Sequence, residues 1–481
     1  MELIVMLLYL VCMFAIGFYF KNRVKGTEDF FLSSRSLPWF VITLTFAATY
    51  IGAASTLAKS GIAYNLGYQA ITVTIAPVLA MYGFSYIAPR IRKIGVLYNV
   101  GSIPELFYRR FGKTASLIAA VIILWTLVGT VGSQMVAASR ILEVICEPWG
   151  VSYEIAAAIS VVIMVAYTMF SGLYGVAYTD VVQGLIVLIM VGVGLPILAI
   201  NSAGGWAHIR TVLPPENFSF QPNMEIIGFM WVYGLYFLSG PPYWQRAFAS
   251  GSEKGARRGV FSASTVILLY TVMVTLIGMA AAVIYPTFPE GAHESLIPIM
   301  VRDLYHPFLA ALVIVAIMAI LMSTIDSYLI NAAQTAISDI YRRIKNDVTE
   351  AEQLRLAKWV VVFLGCASIV FALNIRVIMD AIIFAMTFYS ASLAVPSIAA
   401  LCWRKATKEG VIAGMFTGII VATLWSNVLH SPNGLHQAIP GGILCLLVTV
   451  FVSLVTYKPE TAAPFLEINV TDIDQGEAIS K

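Results

Sequence analysis

FAATYIGAASTLAKSG, residues 46–61, decides how the rest of the chain is read. It lies in a stretch of membrane-span length, 38–60, yet Gly52, Ser55, Lys59, Ser60 and Gly61 crowd a short apolar core. A second stretch, 224–245, carries a similar fault: Ser239, Gly240, Pro241 and Pro242 interrupt it, and two prolines remove backbone donors that a regular helix needs. Each predicts a discontinuous helix. Hydrocarbon cannot satisfy free amides and carbonyls, so irregular backbone at membrane depth is either buried in protein or lines a cavity. Both breaks, at Gly52 and at Gly240, Pro241 and Pro242, therefore point at a binding site.

The composition around them is that of a membrane protein. The 481 residues are 59% hydrophobic and 11% charged, where a soluble domain carries about 25% charged residues. A net charge of +3, dispersed along the chain, gives no footing for a nucleic-acid partner. The five cysteines (Cys12, Cys146, Cys366, Cys402, Cys445) stand alone, and the five histidines (His208, His293, His306, His430, His436) are scattered, so neither zinc nor a redox dithiol is indicated. A spanning helix needs about 20 apolar residues. Thirteen segments meet that need, near 3–20, 38–60, 67–89, 114–140, 152–171, 178–200, 224–245, 259–285, 305–341, 356–374, 377–402, 409–429 and 439–457. Glu2 before the first segment and Lys21, Arg23 and Lys25 after it argue for a retained helix rather than a cleaved leader. An odd number of spans puts the termini on opposite sides. Of the 29 Lys and Arg, 24 then fall on one side, between 21 and 35, 90 and 113, 246 and 258, 342 and 358, 404 and 408, and in the tail. Arg140, Arg210, Arg302 and Arg376 fall on the other, and Lys59 lies within a helix. The positive-inside rule makes the rich side cytoplasmic, with the N-terminus outside and the C-terminus inside.

The fold class read from this is an all-α integral membrane protein. Segments two to six and seven to eleven form two five-helix halves, each opening with its broken helix, which is the sequence pointer to an inverted-repeat secondary transporter. The divisions are 1–36 (an extra helix and a cytoplasmic loop), 37–200 (first repeat), 201–402 (an extracellular loop and the second repeat), 403–457 (two C-terminal helices) and 458–481 (a polar cytoplasmic tail).

Segment nine holds Ser323, Thr324, Asp326, Ser327, Asn331 and Gln334 on one broad helical face. Hydroxyls alone can back-bond to carbonyls or join helices, but an ionisable Asp326 inside a span marks an ion or substrate pathway. Asp180, in SGLYGVAYTDVVQG (171–184), falls at the expected cytoplasmic start of segment six. There it is either an acid favoured by the helix dipole or, with Asp326 and the hydroxyls, part of a hard oxygen set for a small alkali cation. The solute belongs at the midplane between the breaks, which nominates Ser55, Lys59, Gln134, Tyr243, Trp244 and Tyr389. Lys59 has two readings: it snorkels to the interface, or it faces the cavity, where it pairs a substrate carboxylate or supplies positive charge in place of a cation. No constellation of nucleophile, histidine and acid suggests an enzyme.

DFFLSSRSLPWF (29–40), the 46–61 helix, 171–184, ILMSTIDSYL (320–329) and EGVIAGMFTG (409–418) occur in an order that resembles the sodium:solute symporter family. Bacterial proline, pantothenate, galactose and sialic-acid symporters belong to it. The resemblance implies the LeuT-type five-plus-five inverted repeat with extra terminal helices, and sodium as the coupling ion. It implies a sodium site of the Ala48, Ile51 and Ile320 carbonyls with the Ser323 and Thr324 hydroxyls. A further site by the same resemblance uses Asp180 with Ser323, Asp326 and Ser327, and here Asp326 stands where a member of the family has a hydroxyl. That carboxylate either strengthens the site or lets a proton replace sodium. The implied function is sodium-coupled import of a small polar organic solute (a carboxylate or vitamin such as pantothenate, an amino acid such as proline, or a sugar) by alternating access. Proton-coupled symport and a transporter-like sensor or receptor are the alternatives. ATYIGAAS and 134–143 look closest to pantothenate symporters, while GPPYWQR (240–246) departs from them. The expected partners are solute, sodium and the lipid bilayer, with no obligate protein partner, in a bacterial inner (plasma) membrane.

Overall fold

The structure, a computed structural model, describes residues 26–146, 150–289, 293–345, 347–375 and 377–459, together with Val5, Leu8, Tyr9, Val11, Cys12 and Ala15. Most of the expected first span, Arg376 and the tail from 460 lie outside the described residues. Among those described, eight helices are long and apolar enough to cross a membrane, and two bent helix pairs raise the number to ten.

The first bent pair is the stretch that opened the sequence reading. Helix α1 (Trp39–Tyr50) and α2 (Ala54–Leu66) meet at 68° across Ile51, Gly52 and Ala53, and α2 begins with a wide π turn, Ala54–Ala58. Then come α3 (Gln69–Leu97), α4 (Ile103–Phe111), α5 (Lys113–Cys146), α6 (Tyr153–Ile189) and α7 (Leu195–Ser202). The expected segments 152–171 and 178–200 are not separated by a loop at 171–178, because α6 runs helically through that boundary. Asp180 is therefore inside a helix and buried, not an acid at a helix start.

The second half begins with α8 (Met224–Ser239) and α9 (Pro241–Ala249), separated by Gly240 in extended conformation (φ −63°, ψ 139°). Pro241 and Pro242 occupy the first turn of α9, where a missing N–H costs nothing, so they start one helix by ending another. Helices α10 (Glu253–Ile284), α11 (Pro307–Gln334), α12 (Glu350–Asn374), α13 (Ile378–Ser392), α14 (Ala394–Cys402), α15 (Lys408–Asn427) and α16 (Ala438–Thr456) follow. A third break was not expected: α13 and α14 meet at 44° across Leu393. Pro396 has no N–H for the Ser392 carbonyl four residues back, and Cys445 Sγ of α16 takes that carbonyl at 3.3 Å instead.

Every residue of α11 from Val313 to Gln334 is buried, so this helix is the axis about which the others pack. The entry to α1 and the exit from α9 are tied together, with Leu37 N donating to Ala249 O (3.0 Å) and Gly251 N to Leu37 O (2.9 Å). On α15, Gly410, Gly414 and Gly418 recur every four residues, and a Cβ on them would strike Ser453 and Thr449 of α16 and the Ala391 carbonyl of α13. This small-residue face lets the helices approach closely where lipid offers no hydrophobic drive for association.

Candidate ion and solute site

The break between α1 and α2 rearranges backbone groups in a defined way. Ile51 (φ −73°, ψ 84°) leaves the helix, and Gly52 N turns to Tyr50 O and Ser55 Oγ, both at 2.9 Å. The Ala48 carbonyl thereby loses the donor that a continuous helix would supply. Thr324 Oγ1 of α11 lies 3.4 Å from it and 3.1 Å from Ile320 O, and Ser323 Oγ is 3.2 Å from Ile320 O. Four of the five oxygens expected to hold sodium are thus linked by one chain of contacts, and Ile51 is buried on the same turn. These are hard, neutral oxygens, the donor type that suits an alkali cation rather than zinc or copper. Gly52 sits against this cluster: a Cβ there would lie 2.8 Å from Gln134 Oε1 and 3.2 Å from Thr324 Oγ1.

Two nominated solute residues serve the break itself. Gln134 Oε1 accepts from Ala53 N (2.9 Å), and Ser55 Oγ donates to Tyr50 O (2.8 Å) while accepting from Gly52 N. They satisfy amides and carbonyls that the unwound turn would otherwise leave unpaired.

Asp180 brings a partner that the sequence reading missed. Arg246 of α9 was counted as a cytoplasmic base, but it is fully buried, with Nη2 3.6 Å from Asp180 Oδ2 and 2.7 Å from Ser327 Oγ. Its Nε donates to Thr45 Oγ1 (3.2 Å), and its Nη1 donates to Pro242 O (3.0 Å). Thr45 Oγ1 in turn donates to Asp180 Oδ2 at 2.5 Å. Asp326, also buried, accepts from Thr168 Oγ1 of α6. The only sequence signal for Arg246 was its place four residues after Pro242. The polar face of segment nine also divides by depth: Asn331 Nδ2 donates to Gln245 Oε1 (2.6 Å), Gln245 Nε2 to Gln334 Oε1 (3.0 Å), and Gln334 Nε2 to Gly101 O (3.0 Å). That amide ladder joins α9, α11 and the turn before α4.

A cavity adjoins the break, lined by Ser55, Lys59, Gln134 and Tyr243 among the nominated residues, and by Thr324. Tyr50, Tyr233, Phe237, Tyr328 and Met379 complete much of its wall and were not foreseen. About 30 Å³ is open to the centre of a water molecule, enough for one or two waters. Trp244 and Tyr389 do not line it. Trp244 packs edge-on against Phe248, and Tyr389 Oη donates to Ser239 O (2.6 Å), the carbonyl freed at the second break. Lys59 does not snorkel: it is 2% exposed, bonds Thr74 Oγ1 of α3, and holds its ammonium 5.9 Å from the centre of the Tyr50 ring.

Two broken helices, crossed by a central helix at an oxygen cluster beside an enclosed cavity, define the class of membrane transporters built around discontinuous helices. Solved structures agree on the fold. A substrate-bound, outward-open, Na+-coupled sialic acid symporter matches with a TM-score of 0.83 at 20% identity, over 97% of this chain and 99% of that one. Mhp1, a nucleobase-cation-symport-1 family transporter in a closed conformation with bromovinylhydantoin bound, matches with a TM-score of 0.61 at 15% identity, over 93% and 98%. Sodium/proline symporters of Staphylococcus aureus, among them that of strain JH9, are 27% identical over 480 residues, covering 95% of this chain and 93% of theirs. The model of the sodium:solute symporter family matches residues 30–418, and the chain belongs to that family.

Proposed function

We propose that the protein is a sodium-coupled symporter that imports a small polar organic solute by alternating access. The observation that carries this is the Ala48 carbonyl, released by the break and met by the Thr324 hydroxyl at 3.4 Å. A cation drawn to these oxygens ties α1 to α11. Such an ion drives transport only if it binds one conformation more tightly than the other, and a tie between two elements that part in one of them meets that condition. Thirteen spans, N-terminus outside and C-terminus inside, remain our reading of the topology in a bacterial inner membrane, with 152–171 and 178–200 still taken as two spans although the chain is helical between them. The five divisions at 36, 200, 402 and 457 go with it.

Ser323→Ala with Thr324→Ala should abolish solute accumulation in proteoliposomes while sparing expression, and full accumulation by that variant would sink the mechanism. Asp326, which accepts a hydrogen bond from Thr168, supports a second cation or a proton beside Asp180. Asp326→Asn should shift the sodium-activation curve if sodium visits it, and the external pH dependence at fixed sodium if a proton does. A variant indistinguishable in both removes Asp326 from coupling.

A further inference from the structure

Among the described residues, Lys59 is the one charged side chain in the wall of the cavity. Its Nζ has a neutral hydroxyl, Thr74 Oγ1, for a partner. No carboxylate among the described residues lines the cavity. A buried ammonium without a counter-ion is costly, and a protein avoids that cost either by giving up the proton or by pairing the charge, which an anionic ligand does. The rest of the wall carries no charge: Tyr50, Tyr233, Tyr243 and Tyr328 bring rings with hydroxyls, Thr49 and Thr130 bring hydroxyls, and Met379 and Ile382 are apolar. Ser55 and Gln134 are engaged with the break.

We infer that Lys59 is the recognition residue for an anionic solute, a small organic monocarboxylate with an apolar body and no ammonium group. The carboxylate takes a charge-assisted bond from Lys59, and the apolar body lies on the rings opposite. A zwitterionic amino acid would bring an ammonium to a wall that offers it no carboxylate. A sugar would meet hydroxyls of the wall but leave Lys59 unpaired. This rests on the transport reading above, and it separates this chain from a simple amino-acid carrier.

The test is a thermal-shift and binding series on the purified full chain in sodium. It compares aliphatic and aromatic monocarboxylates with their primary amides and with the matching α-amino acids. Wild-type protein should bind at least one carboxylate, with its amide about 10- to 100-fold weaker, the worth of one hydrogen bond to a charged group. Lys59→Met should bring carboxylate and amide to within about threefold of each other, and Lys59→Arg should restore part of the difference. Equal affinity for acid and amide in the wild type, which needs no variant to fold, would overturn the proposal, as would binding by α-amino acids alone or by no carboxylate in the series. Stabilisation by sodium without solute is read in the same experiment. If sodium stabilises and no carboxylate does, the Lys59 assignment fails alone. If sodium has no effect over potassium, the coupling-ion reading fails instead.

Discussion

At the scale of single residues, the site is organised by what each polar group would lack without its partner. Arg246 and Asp180 make this plain, since a fully buried guanidinium and carboxylate share Thr45 and reach Ser327 on a third helix. Removing one partner leaves an uncompensated charge, which costs about 3–5 kcal/mol, whereas replacing both with neutral groups costs far less. Arg246→Met should therefore lower the melting temperature and the yield of folded protein sharply, and adding Asp180→Asn should recover much of the loss. Outside the membrane-spanning helices, Glu294 Oε1 accepts from Ile378 N at 2.8 Å and so caps α13. Burial pushes its carboxyl up to about 7 despite the pull of the Ile378 and Met379 amides and of Arg140. The folded protein thus binds this proton more tightly than the unfolded chain, so stability falls as pH rises from about 4.5 to about 7 and is level above. Melting curves across that range should show the slope in wild type and lose it in Glu294→Gln.

At the scale of elements, two of the three breaks were legible because glycine and proline announce themselves. Gly52 among small residues, and Gly240-Pro241-Pro242, state their effect on a helix locally. The break at Leu393 did not show, because Pro396 lies three residues past it and a proline in the first turn of a helix is ordinary. Likewise Thr324 and Ala48 could be paired through the family pattern, but Arg246 could not be placed, since one arginine after a span reads as a cytoplasmic anchor until its helix is seen to turn inward. Trp244 and Tyr389 illustrate the same limit: depth along a helix was readable, and the direction in which a ring points was not. The glycines of α15 lie within EGVIAGMFTG (409–418), a stretch that carries the family resemblance but whose spacing was not read as a packing face, and the structure supplies their use. Gly414→Leu would push against Thr449 and the Cys445 carbonyl, and overpacking of this kind costs about 1–3 kcal/mol or more. It should detach α15 from α16, seen as a lowered melting temperature and faster proteolysis after Trp403, with sodium binding retained in the protein that remains folded.

At the scale of the whole molecule, the two halves are joined at several places, among them the pairing of Leu37 with Ala249 and Gly251, the oxygen cluster, the Arg246–Asp180 pair and the amide ladder from Gln245 to Gly101. A movement that opens one end of the cavity has to release some of these contacts while keeping others. The buried ammonium of Lys59 has a consequence at this scale that concerns voltage. If the solute is an anion travelling with one sodium ion, the pair carries no net charge, and the membrane potential neither helps nor hinders it. A tenfold sodium gradient then supports only about a tenfold solute gradient, whereas a neutral solute gains a further 2.3 kcal/mol or so from 100 mV and reaches roughly 500-fold. Clamping proteoliposomes with potassium and valinomycin at 0 and about −100 mV distinguishes the cases. Accumulation unchanged by voltage means one sodium per anion. For an anionic solute, accumulation that rises with voltage means a second cation moves as well, and the carboxylates of Asp180 and Asp326 are where that extra charge would ride.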